Sequence, residues 1–347
     1  MKILLTGDRG YIGSVLSQML LSRGDEVRGY DTDYYRDCDT YALDRVYPMI
    51  TKDIREVELT DVEGVDAVIH LAALSNDPLG DFNAKLTEEI NLEATVRLAE
   101  LAKAAGVRRF VYSSSQSMYG IATGDEELEE DSSDKNPLTA YARTKWEAEC
   151  RIKLLGDVGD EGFQVVCFRP STVFGASPRL RCDIVYNNFV GCAYTTGRIE
   201  VKSDGTPWRP VVHVRDVAKA FIAGLEAPAE LVAGESFNVG IPDGNFSVRQ
   251  LAEAAERSVP NSSLTFTGEH GGDSRTYRVS FAKILTRLEQ HFRPTWDLDR
   301  GGKELTELFR RVDFGAADFR GRATIRLAQL QHLSERQLVD ENLRWID

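Results

Sequence analysis

Short apolar runs alternate with amphipathic stretches over the first two-thirds of the chain, and that alternation sets the expected fold. Lys2-Ile3-Leu4-Leu5-Thr6 is an apolar run of strand length, as a strand covered on both faces reads. Val15, Leu16, Met19 and Leu20 then recur at helical spacing. Further strand-like runs stand at Glu26–Tyr30, Tyr47–Ile50, Asp66–Ala73, Arg109–Ser115, Gln164–Arg169 and Ser236–Val239. A helix over Thr87–Ala105 places Ile90, Ala94, Leu98, Leu101 and Ala102 on one face and stops at Gly106. A second helix runs from near Pro137 through Tyr141 and Lys145 to about Leu155. Strands alternating with helices predict an α/β protein with a Rossmann-type, doubly wound parallel sheet of about seven strands. The rhythm is lost from Gly175 to about Val214 and again from Ile241 onward. The expected division is a main domain of residues 1–174 plus about 215–240, and a smaller C-terminal α/β substrate lobe of about 175–214 and 241–347.

The bulk composition removes whole classes of function. At 347 residues the chain buries roughly three quarters of its unfolded surface and needs no staples. Its net charge is −13 with no basic run, which argues against nucleic acid and anionic membrane as partners. Cys38, Cys150, Cys167, Cys182 and Cys192 are scattered and odd in number, a pattern of reduced thiols in a cytoplasmic protein rather than a disulfide frame or zinc site. The histidines lack metal-ligand spacing, so no metal is expected. The apolar start is too short for a signal peptide, and no stretch is long enough to span a bilayer.

Chemistry enters at the first strand–helix junction. Gly7-Asp8-Arg9-Gly10-Tyr11-Ile12-Gly13 lies between the strand and the helix. Gly7 permits the tight turn, Gly10 lets backbone approach a pyrophosphate, and Gly13 lets the helix pack on the sheet. The helix N-terminus offers free N–H groups to the phosphates. The second strand ends at Asp31, close to the roughly twenty residues expected for the carboxylate that accepts from an adenosine ribose. Asp31 and Asp33 would repel a 2′-phosphate, so NAD is favoured over NADP, with Arg28 and Arg36 as nearby cations.

The reaction centre is expected beyond the carboxyl ends of the strands. Ser113-Ser114-Ser115 ends one of them, and Tyr141 and Lys145 lie four apart on the following helix, sharing a face. A phenol with a reference pKa of about 10 is a poor base at neutral pH. A neighbouring ammonium and a positive nicotinamide ring favour its phenolate. Tyr141 would then take a proton from a substrate hydroxyl that Ser115 also holds, and Lys145 would also hold the nicotinamide ribose.

Taken together, Gly7-x-x-Gly10-x-x-Gly13, Asp31, Asp53-Ile54, His70-Leu71-Ala72-Ala73, Asn91, Ser113-Ser114-Ser115, Tyr141-x-x-x-Lys145 and Arg169-Pro170 resemble the extended short-chain dehydrogenase/reductases. Within these the chain is similar to the nucleotide-sugar epimerase/dehydratase family, typified by UDP-galactose 4-epimerase. The resemblance covers residues 1 to about 312. It implies that Gly7, Arg9, Gly10, Tyr11, Ile12, Gly13, Asp31, Asp53, Ile54, Leu71, Ala72, Ala73, Asn91, Ser113, Tyr141 and Lys145 contact NAD. Ser75, Ser115, Gln116, Thr172, Arg209, Asp273 and Arg275 would contact a nucleotide-diphosphate sugar, Arg209 and Arg275 gripping its diphosphate through guanidinium forks. The Thr87–Ala105 and Tyr141–Leu155 helices would form the four-helix bundle of a homodimer.

Departures from that pattern narrow the reaction. Sugar 4,6-dehydratases and uronate decarboxylases carry an acidic residue just after the strand's catalytic hydroxyl. Gln116 and Ser117 stand there instead, and neither exchanges a proton as a carboxyl does. Thr172 replaces an asparagine, Ser75 a lysine, and His270 an arginine. Arg179, Arg181 and the Phe314–Asp347 tail have no counterpart in the galactose enzyme. The expected function is an NAD-dependent epimerase of a nucleotide-activated sugar at C4, by reversible hydride transfer through a keto intermediate. Two alternatives are a ketoreductase acting on an NDP-keto-sugar and a non-catalytic dinucleotide sensor. The intact Ser115, Tyr141 and Lys145 speak against the sensor.

Overall fold

The computed structural model describes residues 1–75, 83–121, 126–157, 162–269 and 276–346. Twelve strands appear among them: β1 Lys2–Thr6, β2 Glu26–Asp31, β3 Met49–Thr51, β4 Ala67–His70, β5 Arg109–Ser113, β6 Gln164–Pro170, β7 Thr172–Phe174, β8 Arg198–Val201, β9 Trp208–His213, β10 Ser236–Val239, β11 Asn245–Ser247 and β12 Ser263–Phe266. Seven of them form one sheet in the order β10-β6-β5-β4-β1-β2-β3, and every neighbouring pair is parallel. This is the doubly wound sheet that the apolar runs predict. β1 pairs with β2 on one side and β4 on the other, so the strand order reverses at β1 and a crevice opens beyond its carboxyl end.

Burial explains why the runs read as they do. Ile3, Leu5, Ile69, Val111 and Val166 pack on one face of the sheet, beneath Leu16, Leu20 and Phe221. Leu4, Val68, Phe110 and Val165 pack on the other, beneath Leu98, Ala102 and Ile152. Both faces are covered, which is the reason alternation is absent within these strands. A third cluster, with Tyr186, Val190, Leu251, Leu305 and Phe309, surrounds β11-β9-β7 and the β12–β8 pair.

Two local features depart from the periodicity reading. The predicted Thr87–Ala105 helix is a helix over Ala84–Glu88, a π-helical turn at Glu89–Glu93 and a helix over Ala94–Ala104. The π turn inserts a residue and places Asn91 against the peptide of Leu74, whose N–H it accepts at 2.8 Å and whose carbonyl it donates to at 3.1 Å. The Tyr141 helix spans Ala140–Lys153, later than Pro137, because Thr139 caps it by accepting from the Ala142 N–H at 3.1 Å.

The Phe314–Asp347 tail folds back toward the main sheet. Its helix Arg326–Glu335 buries Leu330 and Leu333 with Tyr30, Tyr34 and Ile54. Val339 and Leu343 join the same cluster.

Candidate functional site

A cavity of about 600 Å³ lies beyond the carboxyl ends of β1, β2, β4 and β5, a size ordinary for cofactor and ligand sites. Its floor is the glycine loop. Gly7 has φ +71°, and a Cβ there would stand 2.7 Å from the Ala72 nitrogen, so the loop lies against the exit of β4. A Cβ on Gly13 would drive into the Gly7 carbonyl and stand 2.7 Å from the Asp8 Cα. Among the described residues, a Cβ at Gly10 would have the Gly7 carbonyl oxygen, at 3.1 Å, as its sole neighbour within 4 Å. The three glycines therefore serve different ends: Gly7 and Gly13 permit packing, and Gly10 keeps a cradle open. The helix Gly13–Ser22 has no side-chain N-cap; its Ser14 and Val15 N–H groups bond to the Gly10 and Ile12 carbonyls at 3.1 Å. Its first residue, Gly13, lines the cavity with Gly10, Tyr11 and Ile12, so the positive end of the helix dipole faces it. An uncapped helix end over an open glycine cradle fits a dinucleotide diphosphate.

Asp31 lines the same cavity from the end of β2. Its carboxylate accepts from the Arg9 N–H at 3.2 Å and the Asp33 N–H at 2.7 Å, which fixes its direction and leaves lone pairs for a ribose hydroxyl. Arg9 itself is not part of the lining; its side chain reaches Met49 Sδ at 2.9 Å. Asp53 and Ile54 line the cavity, Asp53 in a fork with Arg55.

Behind the loop sits a second carboxyl, Asp8, fully buried and accepting from Tyr47 Oη at 2.8 Å. Burial first, and repulsion from Asp31 second, push its pKa up to about 7; burial raises Asp31 as well. The folded protein thus holds a proton on Asp8 that the unfolded chain has released, from about pH 4 to about 7. Asp8 accordingly destabilises the fold as pH rises through that window. His70, buried and held down to about 3, acts in the opposite sense, so the comparison has to be made against a variant. Relative to the wild type, Asp8→Asn should gain thermal stability between pH 5 and pH 7.5. A difference that stays flat or shrinks over that range would contradict this.

At the other end the cavity is lined by Ser113, Ser115, Gln116, Tyr141, Lys145, Thr172 and Arg209. Tyr141 and Lys145 both face it from one helix. Lys145 is buried, its Nζ donates to the Ser113 carbonyl at 2.9 Å, and burial pushes its pKa down to about 7. Ser115 Oγ shares a 2.7 Å hydrogen bond with Ser117 Oγ and caps the short helix Gln116–Tyr119. Gln116 is buried, and its Nε2 donates to the Arg169 carbonyl at 3.0 Å. Leu71, Ala72, Ala73, Leu74 and Ser75 form one wall. Asn91 stands behind that wall and holds Leu74 in place. Asp273 and Arg275, with His270, lie outside the described residues.

The cavity also includes residues to which periodicity assigned no role. Tyr35, Asp183 and Arg326 line it together with Arg181. Arg181 forks onto Asp183 at 2.8 and 3.0 Å and reaches Ser75 Oγ at 3.3 Å. Arg179 lies deeper, paired with Asp39 at 2.6 Å and Asp33 at 3.4 Å. Arg179 and Arg181 stand out in the sequence as residues without a match; their partner Asp183 and the arrival of Arg326 from the tail do not.

Comparison with known proteins matches residues 3–240 to the NAD dependent epimerase/dehydratase family. UDP-glucose 4-epimerase of Bacillus subtilis (strain 168) is 29% identical over 337 residues, covering 88% of this chain and 94% of that protein. A 3-beta-hydroxysteroid dehydrogenase of Mycolicibacterium neoaurum is 30% identical over 285 residues, covering 75% of this chain and 72% of that protein. Among solved structures, MoeE5 in complex with UDP-glucose and NAD superposes with a TM-score of 0.76 at 26% identity, covering 90% of this chain and 99% of that one.

Proposed function

The chain belongs to the NAD dependent epimerase/dehydratase family, and on that premise we propose that it is an NAD-dependent epimerase acting at C4 of a nucleotide-activated sugar. The observation that carries this reading is the meeting of Tyr141, Lys145 and Ser115 in one cavity with the glycine loop and Asp31, while an amide, Gln116, stands where elimination would need a carboxyl. When bound, NAD supplies the reversible hydride acceptor that lets a ring carbon pass through a ketone and return inverted.

The chain's own residues do the rest. Gly7, Gly10 and Gly13 shape the cradle, and Asp31 orients the adenosine ribose. Tyr141 takes the proton of the sugar hydroxyl and later returns it. The Lys145 ammonium, largely desolvated and adjacent on the helix, favours the tyrosine's phenolate. Ser115 shares the substrate oxygen, exchanging its bond to Ser117. Arg209, from β9, offers a fork to the nucleotide diphosphate. Gln116, pinned through its own N–H to the Arg169 carbonyl, has no proton to exchange, so neither water nor carbon dioxide is expelled.

Purified protein given UDP-glucose, UDP-glucuronic acid or dTDP-glucose, with no added cofactor, should convert one of them to its C4 epimer by proton NMR. Absorbance at the nicotinamide band should stay level. Loss of water or carbon dioxide from the sugar would overturn the reading. So would steady NAD reduction when excess NAD is supplied, the signature of a dehydrogenase, or steady NAD(P)H oxidation against an NDP-keto-sugar, the signature of the ketoreductase alternative.

The same reading includes a homodimer through the helices Ala94–Ala104 and Ala140–Lys153, which lie side by side, Arg151 of the second pairing at 3.2 Å with Glu93 just before the first. Their outward positions Arg143, Glu147 and Arg151 are charged, so the interface would be polar. Five free cysteines support a cytoplasmic setting. No helix among the described residues is long and apolar enough to cross a membrane.

A further inference from the structure

Two guanidiniums in the cavity wall are unexplained by the chemistry above. Arg181 and Arg326 both line the cavity, and they are 7% and 2% exposed. Asp183 is the carboxylate between them. It is engaged by the fork of Arg181 and by the backbone N–H of Arg326 at 3.4 Å. The Arg326 guanidinium instead donates to the Arg179 carbonyl at 2.6 Å and lies 4.2 Å over the ring of Tyr35. Among the described residues no carboxylate forms an ion pair with it. Burying a guanidinium without a counter-charge is costly. Two cations against one carboxylate leave this wall with an excess positive charge facing a cavity shaped for an anionic ligand.

Arg326 arrives on the tail, well beyond the residues 3–240 that match the family. The tail is tied to both walls of the adenosine end. On one wall Gln329 Nε2 donates to the Tyr34 carbonyl at 2.8 Å, Trp345 Nε1 to the Thr32 carbonyl at 2.7 Å, and Tyr34 Oη to the Leu343 carbonyl. On the other, Arg55 donates to the Asn342 carbonyl at 2.8 Å. Thr32, Tyr34, Tyr35, Asp53 and Ile54, which these contacts brace, all line the cavity.

We propose that Arg326, together with Arg181, supplies the positive charge for the diphosphate of the dinucleotide, and that the tail carrying it straps the adenosine end shut so that the cofactor is resident. The inference rests on the NAD-dependent reading above and adds how the cofactor is kept. A diphosphate is common to the cofactor and to a nucleotide sugar. The neighbours favour the cofactor: Tyr35 lies in the segment just past Asp31, and Ser75, expected from the sequence at the sugar, here continues the wall from Ala72 and Ala73 and is touched by Arg181. A redox-neutral enzyme gains from a cofactor that does not leave between turnovers, since each turn restores its oxidation state.

The test uses the full chain purified with its cofactor and follows exchange of bound NAD against isotopically labelled NAD by mass spectrometry. Arg326→Gln should exchange roughly tenfold faster or more, the consequence of losing a charge-assisted hydrogen bond. Trp345→Ala, which frees the end of the tail without altering the cavity lining, should also exchange faster. UDP affinity by calorimetry should stay unchanged in both. Exchange at the wild-type rate in both variants overturns the proposal. So does wild-type exchange with weakened UDP binding in Arg326→Gln, which would move the arginine to the substrate's diphosphate. If Arg326→Gln fails to fold, Trp345→Ala decides alone. A wild-type protein that takes up no NAD at all refutes the NAD-dependent function, a result distinct from NAD that binds and exchanges freely.

Discussion

Tyr141→Phe should leave a folded, cofactor-loaded protein whose turnover has fallen by roughly two or more orders of magnitude. The substitution removes one oxygen from a half-buried ring on a helix otherwise held by Ala142, Ala148 and Ile152 in the core, so stability should change little. What is lost is the group that receives the sugar's proton. Ser115 cannot replace it, because a serine hydroxyl lies far from a usable base range and here caps its own helix through the Ser117 N–H at 3.2 Å. Lys145 is buried and turned to the Ser113 carbonyl. Rates from NMR time courses, with NAD content measured on the same sample, check the expectation. Undiminished turnover would place the base elsewhere; loss of NAD alongside activity would make Tyr141 a cofactor ligand first.

Gly10→Val should abolish cofactor uptake while sparing the fold, and Gly13→Ala should do the reverse damage. A Cβ at Gly10 meets, among the described residues, only the Gly7 carbonyl oxygen at 3.1 Å, and a larger side chain there would grow into the cradle that a diphosphate would occupy. A methyl at Gly13 has no free direction: it meets Gly7 and Asp8 backbone, which can yield only by lifting the helix from the sheet, at a cost of about 1–3 kcal/mol or more by analogy with overpacked cores. Circular dichroism melts and the nucleotide released on denaturation distinguish the two. A Gly10→Val protein that still carries NAD would contradict the loop reading.

Most of the sheet was legible because a strand buried on both faces announces itself locally as an apolar run, and the helices between such runs have few places to go. The glycine loop and Asp31 were legible for the same reason, their meaning being fixed by a strand before and a helix after. The π turn at Glu89–Glu93 was not, since the apolar stripe Ile90, Ala94, Leu98 fits an ordinary helix and the inserted residue shows only through the bonds of Asn91. The role of the tail was hidden for another reason. Leu330 and Leu333 signal an amphipathic helix, but periodicity does not say against which wall it docks, and its partners Thr32 and Tyr34 lie some three hundred positions away. Arg181 was visible as a residue without a match; only the fold shows that it shares Asp183 with Arg326.

The link between Thr32 and Trp345 spans 313 positions, and it bears on how the molecule is made. On a ribosome the glycine loop emerges some three hundred residues before the segment that braces its neighbouring wall. Contacts of such long range form late in folding, so a nascent chain can assemble its parallel strands well before the adenosine end is closed. Lasting retention of NAD should therefore begin only once that segment has docked, and growth conditions that starve cells of nicotinamide should yield folded but empty protein.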